Sequence, residues 1–353
     1  MSATASTDAL AHRYALEPLR GLGGLRVEPQ ERPEPGPGQV LVRVRAASLN
    51  RRDLMLLDGT YPIPATPGVV PLSDGVGDVV AVGPGVTLAA VGDRVTGTYF
   101  RRWVAGPQRL ADVREQYGAN HDGWLARYVL LAEESVVHVP EHLTDAEAAS
   151  LTCAGVAAWA AVTKPTPPGP GETLLTVGSG TVALFAVQFA RAHGARVVSV
   201  TSSPERAKRL RGLGADAVVD RSETPDWASA VRELTGGNGV EHVVDAVGLP
   251  TLPKSVAAAA YNARITLVGA FPATEPPVDP FAGNYVSIRR IAVGSRTDFE
   301  AMNRTLAAHR LRPVVDQEFP FEAAPEAYRY FRDGTPFGKV VVTCDGSPAQ
   351  RST

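Results

Sequence analysis

Thr173-Leu174-Leu175-Thr176-Val177 runs into Gly178-Ser179-Gly180-Thr181-Val182-Ala183 and then into an apolar-periodic stretch from Leu184 to His193. A buried strand, a glycine turn and a helix start in that order predict a loop that binds dinucleotide phosphates, the alternative being a glycine turn that serves packing only. Gly178 permits the tight turn, Gly180 lets the backbone approach a pyrophosphate, and Ala183 stands where a third glycine lets helix and strand pack closely. The helix start at Thr181 and Val182 brings amide donors and the positive end of the helix dipole. The loop lies midway along a chain of 353 residues. The half that precedes it is therefore expected to bring the substrate to the cofactor.

Beyond the loop the chain keeps one rhythm. Short β-branched runs at 173 to 177, 196 to 200, 217 to 219, 241 to 245, 265 to 269 and 291 to 293 alternate with helical stretches, which predicts a doubly wound parallel sheet. A helix is expected at 298 to 310 and a last strand at 338 to 342. The earlier half reads differently. Val40 to Ala46 alternates as a strand with one wet face, Val76 to Val82 is apolar enough to be buried, and further short strands come after Gly92-Asp93, at Arg127 to Leu131 and at Val136 to Val139. Short strands between glycine and proline turns suggest a compact, partly open barrel. Thr144-Asp145-Ala146-Glu147 is a capping-box start for a helix running to about Val162. A long segment from Tyr99 to Asp122 is expected either to cover the substrate cleft or to be a plain surface insertion.

A hydrophobic content of 44% supports sizeable cores at this length. A net charge of -2 gives no reason to expect nucleic acid or an anionic membrane as partner, so a small molecule is the expected ligand. Cys153 and Cys344 are the only cysteines, too few for a disulfide framework or a four-cysteine zinc lobe, and they fit a reducing cytoplasm. Met1 to Ala11 has neither a basic start nor an apolar core and reads as a frayed tail. No run has the length of a membrane-spanning helix.

The end of the second strand of the alternating half sets the cofactor preference. A site for a free ribose diol carries an acid there, whereas this chain has Thr201-Ser202-Ser203-Pro204-Glu205-Arg206. Hydroxyls at Ser202 and Ser203 and the guanidinium of Arg206 suit a 2′-phosphate, so NADPH is favoured over NADH. The alternative is that Ser203 merely caps the helix beginning at Pro204 while Arg206 is solvated.

The chain resembles the zinc-free branch of the medium-chain dehydrogenase/reductase superfamily, the quinone oxidoreductase-like and zinc-type alcohol dehydrogenase-like proteins. The resemblance runs through Pro35 to Val44, Ser48-Leu49-Asn50-Arg51-Arg52-Asp53, Pro71 to Gly77, Val91 to Val95, Cys153-Ala154-Gly155, Gly294-Ser295-Arg296 and Phe337-Gly338-Lys339. It implies a GroES-like catalytic domain (1–143 and 297–353), a Rossmann domain (144–296) and a homodimer through the edge strand of the Rossmann sheet. Zinc-dependent members carry a cysteine where this chain has Asn50 and Gly-His-Glu where it has Leu72-Ser73-Asp74, so no zinc is expected. Without a Lewis acid, reduction of an already polarised conjugated system becomes the expected chemistry.

By the same resemblance, Tyr61 falls where related reductases place a tyrosine beside the nicotinamide. It is the candidate acid, the alternative being an aromatic packed against Pro62 and Pro64. Asn50 and Asp53 are expected to orient substrate or water, although Asp53 is equally readable as a structural carboxylate. Val247 within Asp245 to Gly248, then Gly269, Ala270 and Phe271, and Gly294 with Ser295, are expected to hold the cofactor, with Lys339 towards its phosphates. Arg221, where relatives carry a tyrosine near the adenine, is expected to support a phosphate. Arg51 and Ala157 also depart from the family pattern, where tyrosine and threonine are usual. The expected function is NADPH-dependent, metal-independent hydride transfer to an enone, quinone or polyene, with reductive cyclisation as a sub-case. The alternatives are an alcohol dehydrogenase working without zinc and a nucleotide-occupied binding protein.

Overall fold

The computed structural model describes residues 11–269, 281 and 283–344. The chain forms two compact units. Among the described residues, the first takes those up to Thr152, Ser295–Glu300 and those from Val315 on, and the second takes those of Cys153–Gly294 and Ala301–Val314.

The first unit is β-rich. Strands β1 (Ala11–Leu16) and β2 (Leu25–Gln30) pair with each other, and β3 (Gln39–Ser48), β4 (Asp74–Val82), β5 (Arg94–Gly97), β6 (Tyr128–Ala132) and β7 (Val136–His138) build a larger sheet. Its long strand β3 serves two neighbours in turn. Gln39 to Arg43 pair with β6, while Ala46 to Ser48 pair with the last strand of the chain. Two register shifts against β4, at Leu41/Val42 and Val44/Ala46, provide the bulges that let a strand bend and change partner. The sheet closes around a core that includes Leu49, Leu56, Leu57, Leu72, Trp124 and Val340.

The second unit begins with β8 (Thr173–Val177), β9 (Arg196–Thr201), β10 (Ala217–Asp220), β11 (Val240–Asp245), β12 (Ala259–Leu267) and β13 (Ser287–Arg290). They lie in the order β10-β9-β8-β11-β12-β13, with every pairing parallel. All five residues of β8 are buried, as a central parallel strand covered on both faces requires. The order reverses between β8 and β11, and a crevice for a ligand opens beyond the carboxyl ends of strands at such a point.

The chain then returns to the first unit with β14 (Val315–Pro320) and β15 (Lys339–Thr343), which pair in parallel with each other. The helices that matter for the site are α1 (Arg51–Leu57), α2 (Val156–Thr163), α3 (Thr181–Ala192), α4 (Pro204–Leu213), α5 (Trp227–Leu234), α6 (Leu252–Ala258), α7 (Arg296–His309) and α8 (Ala324–Asp333).

Three expectations need correction. The helix expected from Thr144 to Val162 is interrupted: Asp145–Ala148 is one turn of α-helix, Leu151–Gly155 is π-helical, and α2 comes next. The capping box is present, with Glu147 and Thr144 satisfying each other's amides at 2.8 and 3.2 Å, but the continuation is redirected by Thr152, whose hydroxyl donates to Gly97 O at 3.0 Å. The unit boundary accordingly falls after Thr152 and not before Thr144. Arg94 clamps Asp145 at 2.6 Å, and Ser48 donates to Ala149 O at 2.7 Å. Residues 301–314, expected with the catalytic domain, belong to the second unit, where Met302 lies against Gly155. The sixth strand is Ser287–Arg290 and not 291 to 293. Val293 has φ 53°, which no strand admits.

Candidate active site

Asn50 sits at the start of α1 in an extended conformation. Its N–H donates to Asp53 Oδ2 at 2.7 Å, and Asp53 N–H returns to Asn50 O at 3.0 Å, so the Asn-Arg-Arg-Asp sequence is a capped helix start. Asp53 is fully buried with Oδ1 unpartnered among the described residues, and burial pushes its carboxyl up to about 6. The asparagine side chain faces the end of the chain. Lys339 Nζ donates to Asn50 Oδ1 at 2.8 Å and lies 3.3 Å from Asp74 Oδ2, both partners being buried. Ser73 Oγ donates to the other Asp74 oxygen at 2.6 Å. Because an ammonium only donates, it fixes the orientation of the Asn50 amide. Nδ2 therefore faces away from it, and this buried atom has no hydrogen-bond partner among the described residues.

Tyr61 is placed by the way α1 ends. Gly59 takes φ 70°, and the N–H groups of Thr60 and Tyr61 both return to Met55 O, at 2.8 and 3.2 Å, satisfying a carbonyl that the helix end leaves open. The phenol then meets residues of the Tyr99 to Asp122 segment. Its hydroxyl lies 2.7 Å from that of Tyr99 and 3.0 Å from Gln116 Oε1. The buried guanidinium of Arg52 stands over both rings, 5.3 Å from the Tyr61 centroid and 4.7 Å from that of Tyr99.

In the second unit, Gly178 takes φ 99° after β8, and its N–H donates to Val200 O at 2.9 Å. A Cβ at Gly180 would meet nothing within 4 Å. The residues beyond β9 converge on this turn. Thr201 Oγ1 donates to Ser179 Oγ at 3.1 Å, and Arg206 Nη1 reaches the same oxygen at 3.1 Å. Ser203 caps α4, accepting from Arg206 N–H at 3.4 Å. Ser203 is thus a cap, as one of the alternatives for this stretch has it, while the Arg206 guanidinium turns back to Ser179 of the glycine loop. Ser202 and the Arg221 side chain are exposed at the same end of the sheet, where Arg221 N–H donates to Thr201 O at 2.8 Å. Thr181 and Val182 are half-buried at the start of α3.

Comparison with known proteins fits this geometry. The alcohol dehydrogenase GroES-like domain matches residues 36–141, and the zinc-binding dehydrogenase family matches residues 181–308. The chain is 37% identical over 346 residues to a zinc-type alcohol dehydrogenase-like protein of Schizosaccharomyces pombe, covering 95% of this chain and 100% of that one. It belongs to the medium-chain dehydrogenase/reductase superfamily. The match therefore places it among the nicotinamide-dependent oxidoreductases. An acryloyl-coenzyme A reductase of Metallosphaera sedula is 31% identical over 340 residues, with 91% of this chain and 96% of that one covered. Among solved structures, a putative alcohol dehydrogenase of Sinorhizobium meliloti superposes with a TM-score of 0.86 at 34% identity, covering 95% and 98% of the two chains.

Zinc is a usual tenant of this superfamily. The positions in question present an amide oxygen and a hydroxyl, both poor zinc ligands. A lysine ammonium, the wrong charge to sit beside a dication, already takes up Asn50 Oδ1 and lies against the Asp74 carboxylate. The residues present do not fit the metal.

Several superfamily positions carry different duties from those expected. Lys339, expected towards the cofactor phosphates, is 1% exposed and committed to Asn50 and Asp74. Asp53 is buried and partners the Asn50 amide. The N–H groups of Val247 and Gly248 both donate to Asp245 Oδ1, at 3.0 and 2.9 Å. Asp245 also accepts from Thr251 and Ser255 and keeps a carboxyl raised by burial. The Val247 amide is consequently not on offer to a ligand. Gly269 packs its α-carbon against the Val247 backbone, leaving no room for a side chain. Ser295 is a helix cap, its N–H and hydroxyl both donating to Asp298 Oδ2 at 2.8 and 2.7 Å, and Gly294 precedes it in the chain. Ala270 and Phe271 lie outside the described residues. Tyr99 and Gln116 were not expected in the site, because their only sequence signal is membership of an unusually long loop.

Proposed function

We propose that this chain is an NADPH-dependent, metal-independent reductase that delivers hydride to a conjugated acceptor, an enone, quinone or polyene. The observation that carries the reading is the buried Lys339 ammonium, held by groups that stand where zinc-dependent relatives place their ligands. An enone or quinone needs no Lewis acid to accept hydride, because its own carbonyl delocalises the charge. The bound nicotinamide supplies that hydride. Asn50 Nδ2, an amide donor without a partner among the described residues, suits the oxygen on which negative charge develops, and the Tyr61 phenol supplies the proton. The acryloyl-coenzyme A reductase relative, by its name, acts on such an acceptor. Arg206 and Arg221 favour the 2′-phosphate of NADPH, although the carboxylates of Glu205 and Asp220 share that end of the sheet.

NADPH absorbance with a panel of quinones, enones and aldehydes, with and without a chelator, tests the reading. Turnover of a conjugated acceptor that survives the chelator is expected, and Tyr61→Phe is expected to bind NADPH yet lose turnover. Nucleotide binding with no consumption on any acceptor would leave a binding protein in its place, and oxidation of simple alcohols would favour a zinc-free alcohol dehydrogenase. Product mass and NMR separate plain reduction from ring closure of a polyene. We further propose a reducing cytoplasm as the place of action, which a sequence with two cysteines suits; among the described residues no helix is long and apolar enough to cross a membrane. The exposed strand β13 at the sheet edge suits pairing with a second copy, which light scattering tests.

A further inference from the structure

We propose that Tyr99 and Arg52 are positioning residues that hold Tyr61 in a directed hydrogen-bond chain and stabilise its phenolate once the proton has left. This rests on the reading of Tyr61 as the acid. The direction of the chain is set by the amide of Gln116. Its Nε2 donates to Val113 O at 2.9 Å, so Oε1 is the atom that faces Tyr61, 3.0 Å from the phenol oxygen. An amide oxygen only accepts. Tyr61 therefore gives its single proton to Gln116, and the 2.7 Å contact between the phenols is made by the proton of Tyr99.

The resting proton of Tyr61 is thus parked on Gln116, and the Tyr61 oxygen is already a hydrogen-bond acceptor. When the conjugated acceptor takes hydride from the dihydronicotinamide, the Tyr61 Oη–H bond breaks, the proton completes the reduced product, and the bonding pair stays on Oη as phenolate. Solvent returns the proton. The Tyr99 hydrogen bond needs no rearrangement at that moment and becomes charge-assisted. Arg52, fixed by donation to Tyr117 O at 3.0 Å, holds a positive charge over both rings. The other charges of this region are matched elsewhere. Arg101 and Arg102 pair with Glu115 at 2.7 and 2.8 Å, His121 lies 3.4 Å from the same carboxylate, and Asp53 faces Arg52 from its own helix.

Tyr99→Phe keeps the ring beneath Arg52 and removes only the hydroxyl. Two measurements test it. Near-ultraviolet phenolate absorbance against pH on the protein without cofactor isolates Tyr61 when each protein is compared with its own Tyr61→Phe counterpart, the parent with Tyr61→Phe and Tyr99→Phe with the double variant, and its ionisation is expected at higher pH in Tyr99→Phe. In turnover, kcat is expected to fall about tenfold or more with KM little changed, and the pH profile of kcat to move in the same direction. Arg52→Met is expected to move both in the same sense, and serves where Tyr99→Phe does not fold. If Tyr61→Phe loses turnover while Tyr99→Phe leaves the titration, kcat and the pH profile where they were, the proposal falls and the acid role stands. If Tyr61→Phe turns over normally, the acid role falls and the catalytic part of the proposal falls with it.

Discussion

Asp53→Asn is expected to make the protein more stable near pH 8 and to change little near pH 4. Asp53 is 1% exposed, with one carboxylate oxygen accepting the Asn50 N–H at 2.7 Å and the other buried without a partner among the described residues. Burial is the largest influence and pushes the carboxyl from 3.8 to about 6 against the opposing pull of Arg52 and of the Asn50 hydrogen bond. Below 3.8 the folded and unfolded chains both carry the neutral acid, so Asp53 contributes fully to stability there. As pH rises through 6, the unfolded chain has ionised and the folded one must do the same at a cost. At 1.36 kcal/mol per pKa unit, a gap of roughly two units is worth about 3 kcal/mol above pH 6. Asparagine keeps an acceptor for the Asn50 N–H and carries no charge, so the penalty disappears. The gain is an upper bound because Arg52 and Lys339 lose a neighbouring negative charge. Urea denaturation of both proteins near pH 4, 6 and 8, with common m-values, reads the difference directly. A variant that is less stable than the parent near pH 8, or a difference that does not vary with pH, would show that ionised Asp53 is well accommodated and refute the reasoning.

Lys339→Met should be strongly destabilising, by roughly 3 to 5 kcal/mol, because it leaves Asp74 as a buried carboxylate without its cation; denaturant midpoints check this. The double variant Lys339→Met with Asp74→Asn should recover much of the loss, since it removes the stranded charge. Arg206→Ala should raise KM for NADPH about tenfold or more and leave that for NADH nearly unchanged; equal effects on both cofactors would assign the guanidinium to the Ser179 turn alone.

The parallel sheet was legible because its signals are local. Thr173–Val177 is found with the expected bounds, and the glycine turn has the positive φ that Gly178 permits. The edge strand was misplaced for a physical reason. Ser287-Ile288-Arg289-Arg290 carries two arginines, a common guard on an edge strand, so its β signal is weaker than that of the neighbouring Ile291-Ala292-Val293, which turns away from the sheet. The switch to π-helix at Leu151–Gly155 was hidden because Thr152, within it, bonds to strand β5, a partner 55 residues back. The candidate site was legible in its members but not in their partners. Asn50 and Tyr61 could be named from their positions in a motif. Nothing in the sequence joins Asn50 to a lysine 289 residues away, or Tyr61 to Tyr99 at 38 and Gln116 at 55. Hydrogen bonds that close such loops are decided by how sheets wrap, and sequence windows do not see them.

The last strand has a consequence for how the protein is made. Strand β15 inserts between β14 and β3, and pairs with Ala46 to Ser48. A ribosome that has delivered the entire N-terminal half has therefore produced a domain with an open seam beside Ala46, and with Asp74 still lacking the lysine that faces it. The alternating α/β half emerges in between and can complete its own sheet without waiting. Long-range closure of this kind slows folding and prolongs exposure of an unpaired strand edge. A stop codon shortly before Lys339 should thus yield an insoluble chain, even though fewer than about twenty residues are missing.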